Sequence, residues 1–200
     1  MTGSPGPLRD VRHFGDTNFV NAWIPAMTRA ASTVMMLAYP LLAAAPTAGA
    51  DAPATTATVL RVVDGDTVDV VDDVRGRLRV RLLGIDTPET KKPGFTIGCW
   101  GPQATDFAKS TLLGQRVALT PDPTQDRTDR YGRTLAYLDK ADGWDYSVEA
   151  VRSGAAKSYV YRNKPVTKYP EIATAEQEAM AARRGLWGAE CHGETGSIPR

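Results

Sequence analysis

The chain carries almost no net charge, few residues suited to soft metals and no unbroken apolar run of spanning length, and each lack removes a class of protein. Its 24 basic and 23 acidic residues leave a formal net charge of +1 over 200 residues. That excludes a protein that coats nucleic acid by bulk electrostatics, so any phosphate recognition must come from a local patch. Only two cysteines and two histidines occur, and neither a C-x-x-C nor an H-x-x-H spacing exists, which argues against a structural zinc site; the adjacent Cys191 and His192 do not make one. EF-hand loops, heptads, internal repeats and low-complexity blocks are missing from the body of the chain. The most apolar stretch, near the N-terminus, is rich in alanine and interrupted by Pro40 and Pro46, which weakens a membrane-spanning helix.

What is present suits one globular domain with appendages: 42% hydrophobic and 24% charged residues in a chain long enough to bury a sizeable core. Residues 1–26 show neither helical nor strand periodicity and read as an unstructured extension, which a true start at Met27 would explain. Residues 27–50 follow the pattern of a secretory signal: Arg29, an apolar run from Ser32 to Ala45, then Ala48-Gly-Ala50 as a small-residue cleavage site. The expectation is a secreted protein cleaved after Ala50; a retained anchor facing outside is the alternative. Residues 51–56 are a short linker, 57–188 the domain and 189–200 a C-terminal tail. Loss of residues 1–50 removes three basic and two acidic side chains, so the remainder is charge-balanced. Export would also expose Cys99 and Cys191 to oxidising conditions, where a disulfide closing so long a loop stabilises by roughly 4 kcal/mol. Two separate buried thiols are the other reading.

Within the domain, Ala57 to Val63 and Thr67 to Val71 are β-rich runs separated by Asp64-Gly-Asp66, a turn signal. Arg77 to Leu83 alternates, with Leu78, Val80 and Leu82 on one face and Arg77, Arg79 and Arg81 on the other. Val117 to Leu119 and Thr134 to Leu138 supply two more strands. Helices are expected from Pro102 to Leu112, from Ser147 to Ser153 and from about Glu171 to Arg184, with Gly114, Gly154 and Gly185 just beyond their ends.

The chemistry gathers at strand ends. Asp66 follows the tight turn and Asp86 follows the arginine strand, so both can converge on one mouth of a barrel; carboxylates with a backbone carbonyl suit a hard cation such as calcium. Asp64 is either a further ligand or a turn-stabilising group. In Asp86-Thr-Pro-Glu89, Pro88 fixes the backbone and restricts Thr87, holding two acids at a defined offset. Arg81 and Arg133 suit a phosphate gripped in two places, whereas Arg77 and Arg79 read as solvated strand residues. Tyr159 and Tyr161 alternate along an extended segment and could face a base.

Asp64-Gly-Asp-Thr67, Arg81-Leu-Leu-Gly-Ile-Asp-Thr-Pro-Glu89, Gly101-Pro-Gln-Ala104, Arg127-Thr-Asp-Arg-Tyr-Gly-Arg-Thr-Leu-Ala-Tyr137 and Ala156-Lys-Ser-Tyr-Val-Tyr161, in that order between Ala57 and about Trp187, resemble the staphylococcal nuclease (thermonuclease) family. The resemblance implies an α+β, mainly β fold: a five-stranded OB-fold barrel with about three helices. It implies a calcium-dependent endonuclease acting on DNA and RNA and leaving 3′-phosphate ends. Asp66, Asp86 and the Thr87 carbonyl would hold Ca2+, Glu89 would act as general base, Arg81 and Arg133 would bind the phosphate, and Tyr131, Tyr159 and Tyr161 would line the nucleotide pocket. The loop Lys91 to Trp100 departs from the family pattern, with Gly94, Phe95 and Cys99 where relatives are richer in lysine. A monomer without a stable protein partner is expected. A non-catalytic OB-fold nucleic-acid-binding module is the alternative function.

Overall fold

The computed structural model describes residues 53–200; the expected extension and signal, 1–26 and 27–50, lie outside the described residues. Five strands close a barrel in the order β1(Ala57–Asp64), β2(Thr67–Asp72), β3(Gly76–Leu82), β6(Thr134–Asp139), β5(Arg116–Thr120). The three-strand meander β1–β2–β3 is antiparallel, as tight turns require. At the closure β3 runs parallel to β6, with Val80 opposite Thr134 and Arg81 opposite Leu135. β1 serves two neighbours, pairing along its length with β2 and through Ala57 and Thr58 with β5. Register irregularities between Val59 and Arg61 and between Val62 and Asp64 bend it enough to do so. Barrel closure leaves the OB-fold no free sheet edge along these strands.

The alternation expected of β3 is what the barrel uses. Val80 and Leu82 are buried with Val59, Val68, Val70 and Leu138, while Arg77 and Arg79 stand outside. Three helices, α1(Gly101–Leu112), α2(Tyr146–Arg152) and α3(Tyr169–Ala181), cover the barrel. α3 begins two residues earlier than the sequence suggests, because a proline in its first turn favours initiation at Tyr169. It ends at Ala181, short of Arg184, because Arg183 takes a left-handed conformation. Two strands of two residues, β4(Ile85–Asp86) and β7(Lys157–Ser158), pair with each other outside the barrel. They escape sequence reading because two residues carry no period. Tyr159 and Tyr161 therefore lie just past a minimal strand and at a bridge, not along a continuous extended segment.

Two buried networks tie the connections to the barrel. Asp122, after β5, accepts hydrogen bonds from Thr124 N and Oγ1, both at 2.7 Å, Tyr137 OH at 2.5 Å, and Thr167 N and Oγ1 at 2.6 and 2.7 Å. Burial raises a carboxyl, yet these donors outweigh it and hold Asp122 well below the usual carboxylate range. Lys168, at the entry to α3, bridges Asp139 at 2.9 Å and Asp145, the N-cap of α2, at 2.5 Å.

The C-terminal segment packs on the departing loop. Cys99 and Cys191 form a disulfide with Cα atoms 5.8 Å apart. Thr96 N donates to Ile198 O at 2.8 Å, Ile198 N to Thr96 Oγ1 at 3.0 Å and Arg200 N to Gly94 O at 2.9 Å. Gly98 N in turn donates to Glu89 O at 2.8 Å. The loop bearing Glu89 is thus backed by a covalent bond and a short run of pairing. With the cysteines 92 positions apart, Cys99→Ser combined with Cys191→Ser is expected to lower stability by roughly 4 kcal/mol. Chemical denaturation measures it, with the reduced wild-type protein expected to match the variant; a variant curve coincident with that of the oxidised wild type would show that the bond constrains nothing.

Candidate active site

The site begins at the turn between β1 and β2, which is held from three sides. Gly65 is needed there because a Cβ would meet Thr87 Cγ2 at 2.7 Å, so the Asp64–Asp66 turn and the segment after β4 can touch only if residue 65 has no side chain. From below, buried Tyr146 donates its hydroxyl to Gly65 O at 2.6 Å. From the side, Thr87 N donates to Asp66 Oδ2 at 3.1 Å while Thr67 Oγ1 donates to Oδ1 at 2.9 Å. Asp66 is buried yet aimed along a fixed direction. Gly84, at φ +76°, performs the equivalent service after β3, where a Cβ would strike Ile172 at 2.5 Å. Ser147 Oγ secures that bend through Leu83 O at 2.9 Å.

Arg81 joins the two acidic segments. Its Nη1 lies 2.7 Å from Asp66 Oδ2 and its Nη2 3.0 Å from Asp86 Oδ1, and Nη1 also donates to Ile85 O at 3.2 Å. One guanidinium therefore bridges Asp66 and Asp86, while Asp64 shares the turn with Asp66 and Glu89 follows Asp86 on the same segment. Burial and crowding both act on the carboxyls. Asp64 is pushed up to about 6 by burial and by the adjacent Asp66. Asp86 is raised by desolvation and by the charges of Asp66 and Glu89, with Arg81 working against them. Such mutual repulsion is relieved by a multivalent cation. Among the described residues no three His, Cys, Asp or Glu side chains form a metal cage by themselves. Of the expected cation donors, Arg81 brings Asp66 and Asp86 together, and two carboxylates of this kind would suit a hard cation that completes its shell with water and substrate.

Glu89 stands on the same segment. Its Oε1 accepts from Thr90 N at 2.9 Å and Lys91 N at 2.8 Å, which fixes one oxygen, and the other has no hydrogen-bond partner among the described residues. Glu89 touches neither Asp66 nor Asp86 directly.

Beside this acidic group opens a cleft of about 440 Å³ that collects Arg81, Arg133, Tyr131, Tyr159 and Tyr161 on its walls, with Arg130 and Arg162. Tyr131 is 67% exposed, an available stacking face rather than a core residue. The turn that presents it is organised by a residue to which sequence reading gave no role. Asp129 Oδ1 accepts from Tyr131 N at 2.9 Å and Arg133 N at 3.0 Å, and Oδ2 accepts from Arg133 Nε at 2.6 Å. Among the described residues the terminal nitrogens of Arg133 have no hydrogen-bond partner, so its fork is oriented by Nε and open at its tip. An acid followed by two cleft residues at i+2 and i+4 was the available signal. Arg130 Nη2 also donates to Tyr131 OH at 2.6 Å. Tyr146 was beyond sequence reading, since its partner lies 81 residues away.

A closed five-stranded barrel with an acidic group and a basic, aromatic cleft at one mouth defines an α+β OB-fold domain with a site for an anionic ligand. Residues 79–189 match the family model described as Staphylococcal nuclease homologue. The chain is 38% identical to a thermonuclease of Staphylococcus hyicus over 133 residues, covering 66% of this chain and 75% of that protein. It is 39% identical over 130 residues to a thermonuclease of Staphylococcus intermedius, covering 64% and 74%. It is also 37% identical over 129 residues to an uncharacterized endonuclease of Escherichia coli O157:H7, again covering 64% and 74%. The chain belongs to the staphylococcal nuclease family.

Asp129→Asn keeps an acceptor for the two main-chain N–H groups but loses the charge-assisted bond to Arg133 Nε. The expected result is an Arg133 side chain of lower Nε order parameter in ¹⁵N relaxation, with the remaining backbone unaltered; an unchanged order parameter would show that other contacts orient it.

Proposed function

We propose that the domain spanning residues 57–188 is a secreted calcium-dependent endonuclease that hydrolyses phosphodiester bonds of DNA and RNA and leaves 3′-phosphate ends. The observation that carries the reading is Arg81, held between Asp66 and Asp86 on the wall of a cleft that also receives the open fork of Arg133. Family membership supports nuclease activity, and its relatives include a thermonuclease and an uncharacterized endonuclease.

Asp66, Asp86 and the Thr87 carbonyl would hold the cation; calcium bound there supplies positive charge toward a phosphoryl oxygen. The free oxygen of Glu89 takes a proton from the attacking water as its oxygen bonds to phosphorus. The P–O5′ bond breaks, the 5′-oxygen departs to become a hydroxyl, and the phosphate stays on the 3′ side. Negative charge builds on the equatorial oxygens of the five-coordinate state, where Arg133 offers two donors in a plane and Arg81 adds positive charge. Tyr131, Tyr159 and Tyr161 position the nucleotide, with base stacking contributing about 1–3 kcal/mol per base. Residues 1–50 direct export, with cleavage after Ala50, and the mature enzyme acts as a monomer.

Digestion of single-stranded DNA, double-stranded DNA and RNA, with calcium and then with EGTA, tests the reaction. Calcium-dependent cleavage leaving 3′-phosphates is expected; binding without cleavage in both conditions would make the chain a binding module. Glu89→Gln is expected to lower kcat by about 10² or more with little change in fold. Near-normal turnover by the folded variant, measured in single-turnover assays, would remove the general-base role.

A further inference from the structure

We infer that the outer face of β3 continues the phosphate path away from Arg81, carrying the single-stranded polynucleotide whose bond is cut along Arg79 and Arg77 through a second cleft. The inference rests on the nuclease reading of the first cleft. It takes up the arginine alternation that the catalytic site leaves unused.

Residues Arg77, Arg79 and Arg81 share one face of β3, so their Cα atoms repeat every about 6.7 Å. That repeat suits successive phosphates of an extended strand, and a positive groove that tracks the backbone is how single strands are held without sequence reading. The row is not a set of idle surface charges. Arg79 stands opposite Asp69 on β2, with Nε 2.7 Å from Oδ1 and Nη2 3.2 Å from Oδ2. Arg61 on β1 reaches the same carboxylate at 2.6 Å. One aspartate thus holds two arginines side by side across three strands and leaves one positive charge over. Arg79, opposed by burial and assisted by Arg61, keeps Asp69 below its ordinary value, so the ladder stays charged. Arg77 makes no ion pair or side-chain hydrogen bond among the described residues.

A cleft of about 370 Å³ runs along this face, with Arg77, Arg79, Asp69 and Leu60 on its walls. Tyr131 and Arg133 line both this cleft and the first one. The two are therefore joined at the residues assigned to the scissile nucleotide, and a strand leaving the first cleft past Tyr131 enters the second. The lining of the second cleft sets Arg77, Arg79 and Arg133 against Asp69, so positive charge is in excess there. In a chain whose net charge is +1, that excess is a local construction.

The test measures binding of oligothymidylates from about 2 to about 12 nucleotides to the full chain carrying Glu89→Gln, with calcium present, across a range of salt. Affinity is expected to rise with length beyond what fills the first cleft. Adding Arg77→Gln is expected to shrink that gain by about 3–10-fold and to reduce the slope of log affinity against log salt by about 0.7, the loss of one single-strand phosphate contact. Arg77→Lys, which keeps the charge, should retain most of the slope. An unchanged length dependence and slope in Arg77→Gln would overturn the inference, as would equal weakening for short and long oligomers. Cleavage by the wild-type chain together with an indifferent Arg77→Gln would sink the second cleft alone; no binding or cleavage of any polynucleotide by the wild-type chain would sink the nuclease reading and this path with it.

Discussion

The carboxylate of Asp66 is the junction on which the rest depends. It receives the Thr87 main-chain N–H, the Thr67 hydroxyl and the Arg81 guanidinium, and so binds the β1–β2 turn, the end of β3 and the segment carrying Glu89 to one point. A buried charge is tolerable only when its donors are in place before it is desolvated. The supporting structure supplies them: a glycine at 65 lets Thr87 approach, and Tyr146 braces the turn from beneath. Without that junction the acids of the site would have no common geometry.

The same junction explains why the acids crowd. A fold seeking stability alone would not gather Asp64, Asp66, Asp86 and Glu89 at one mouth, where the carboxyls of Asp64 and Asp86 are raised first by burial and then by the charge of Asp66. Elsewhere the molecule shows the opposite habit. Asp122 and Asp129 are held low by donors arranged around them, and Lys168 is shared between two aspartates. Satisfied acids brace the fold, and the strained group sits at the mouth.

Much of this was readable in the chain. The period of two in Arg77 to Leu83 places β3 and both of its faces, and Pro88 after Asp86 marks a fixed offset between two acids. Tyr159 and Tyr161 on the cleft wall were also visible, although the strand beside them shrinks to Lys157–Ser158. What was not visible is long-range. Tyr146 reaching Gly65, Thr167 reaching Asp122 and the pairing of Thr96 with Ile198 join residues 81, 45 and 102 apart. No local pattern encodes them, because each depends on the barrel having closed. Asp129 is the intermediate case: its partners are local, but a carboxylate that orients an arginine looks in sequence like any turn aspartate.

The bond between Cys99 and Cys191 also acts as a statement about time. Both β5 and β6, and α2 and α3, lie between the two cysteines, so the second thiol is synthesised only after every strand of the barrel exists. The brace behind Glu89 consequently cannot form before Cys191 has been made, and it forms only where thiols are oxidised. The segment that carries the proposed base is left on noncovalent contacts until synthesis and surroundings both permit its final fastening.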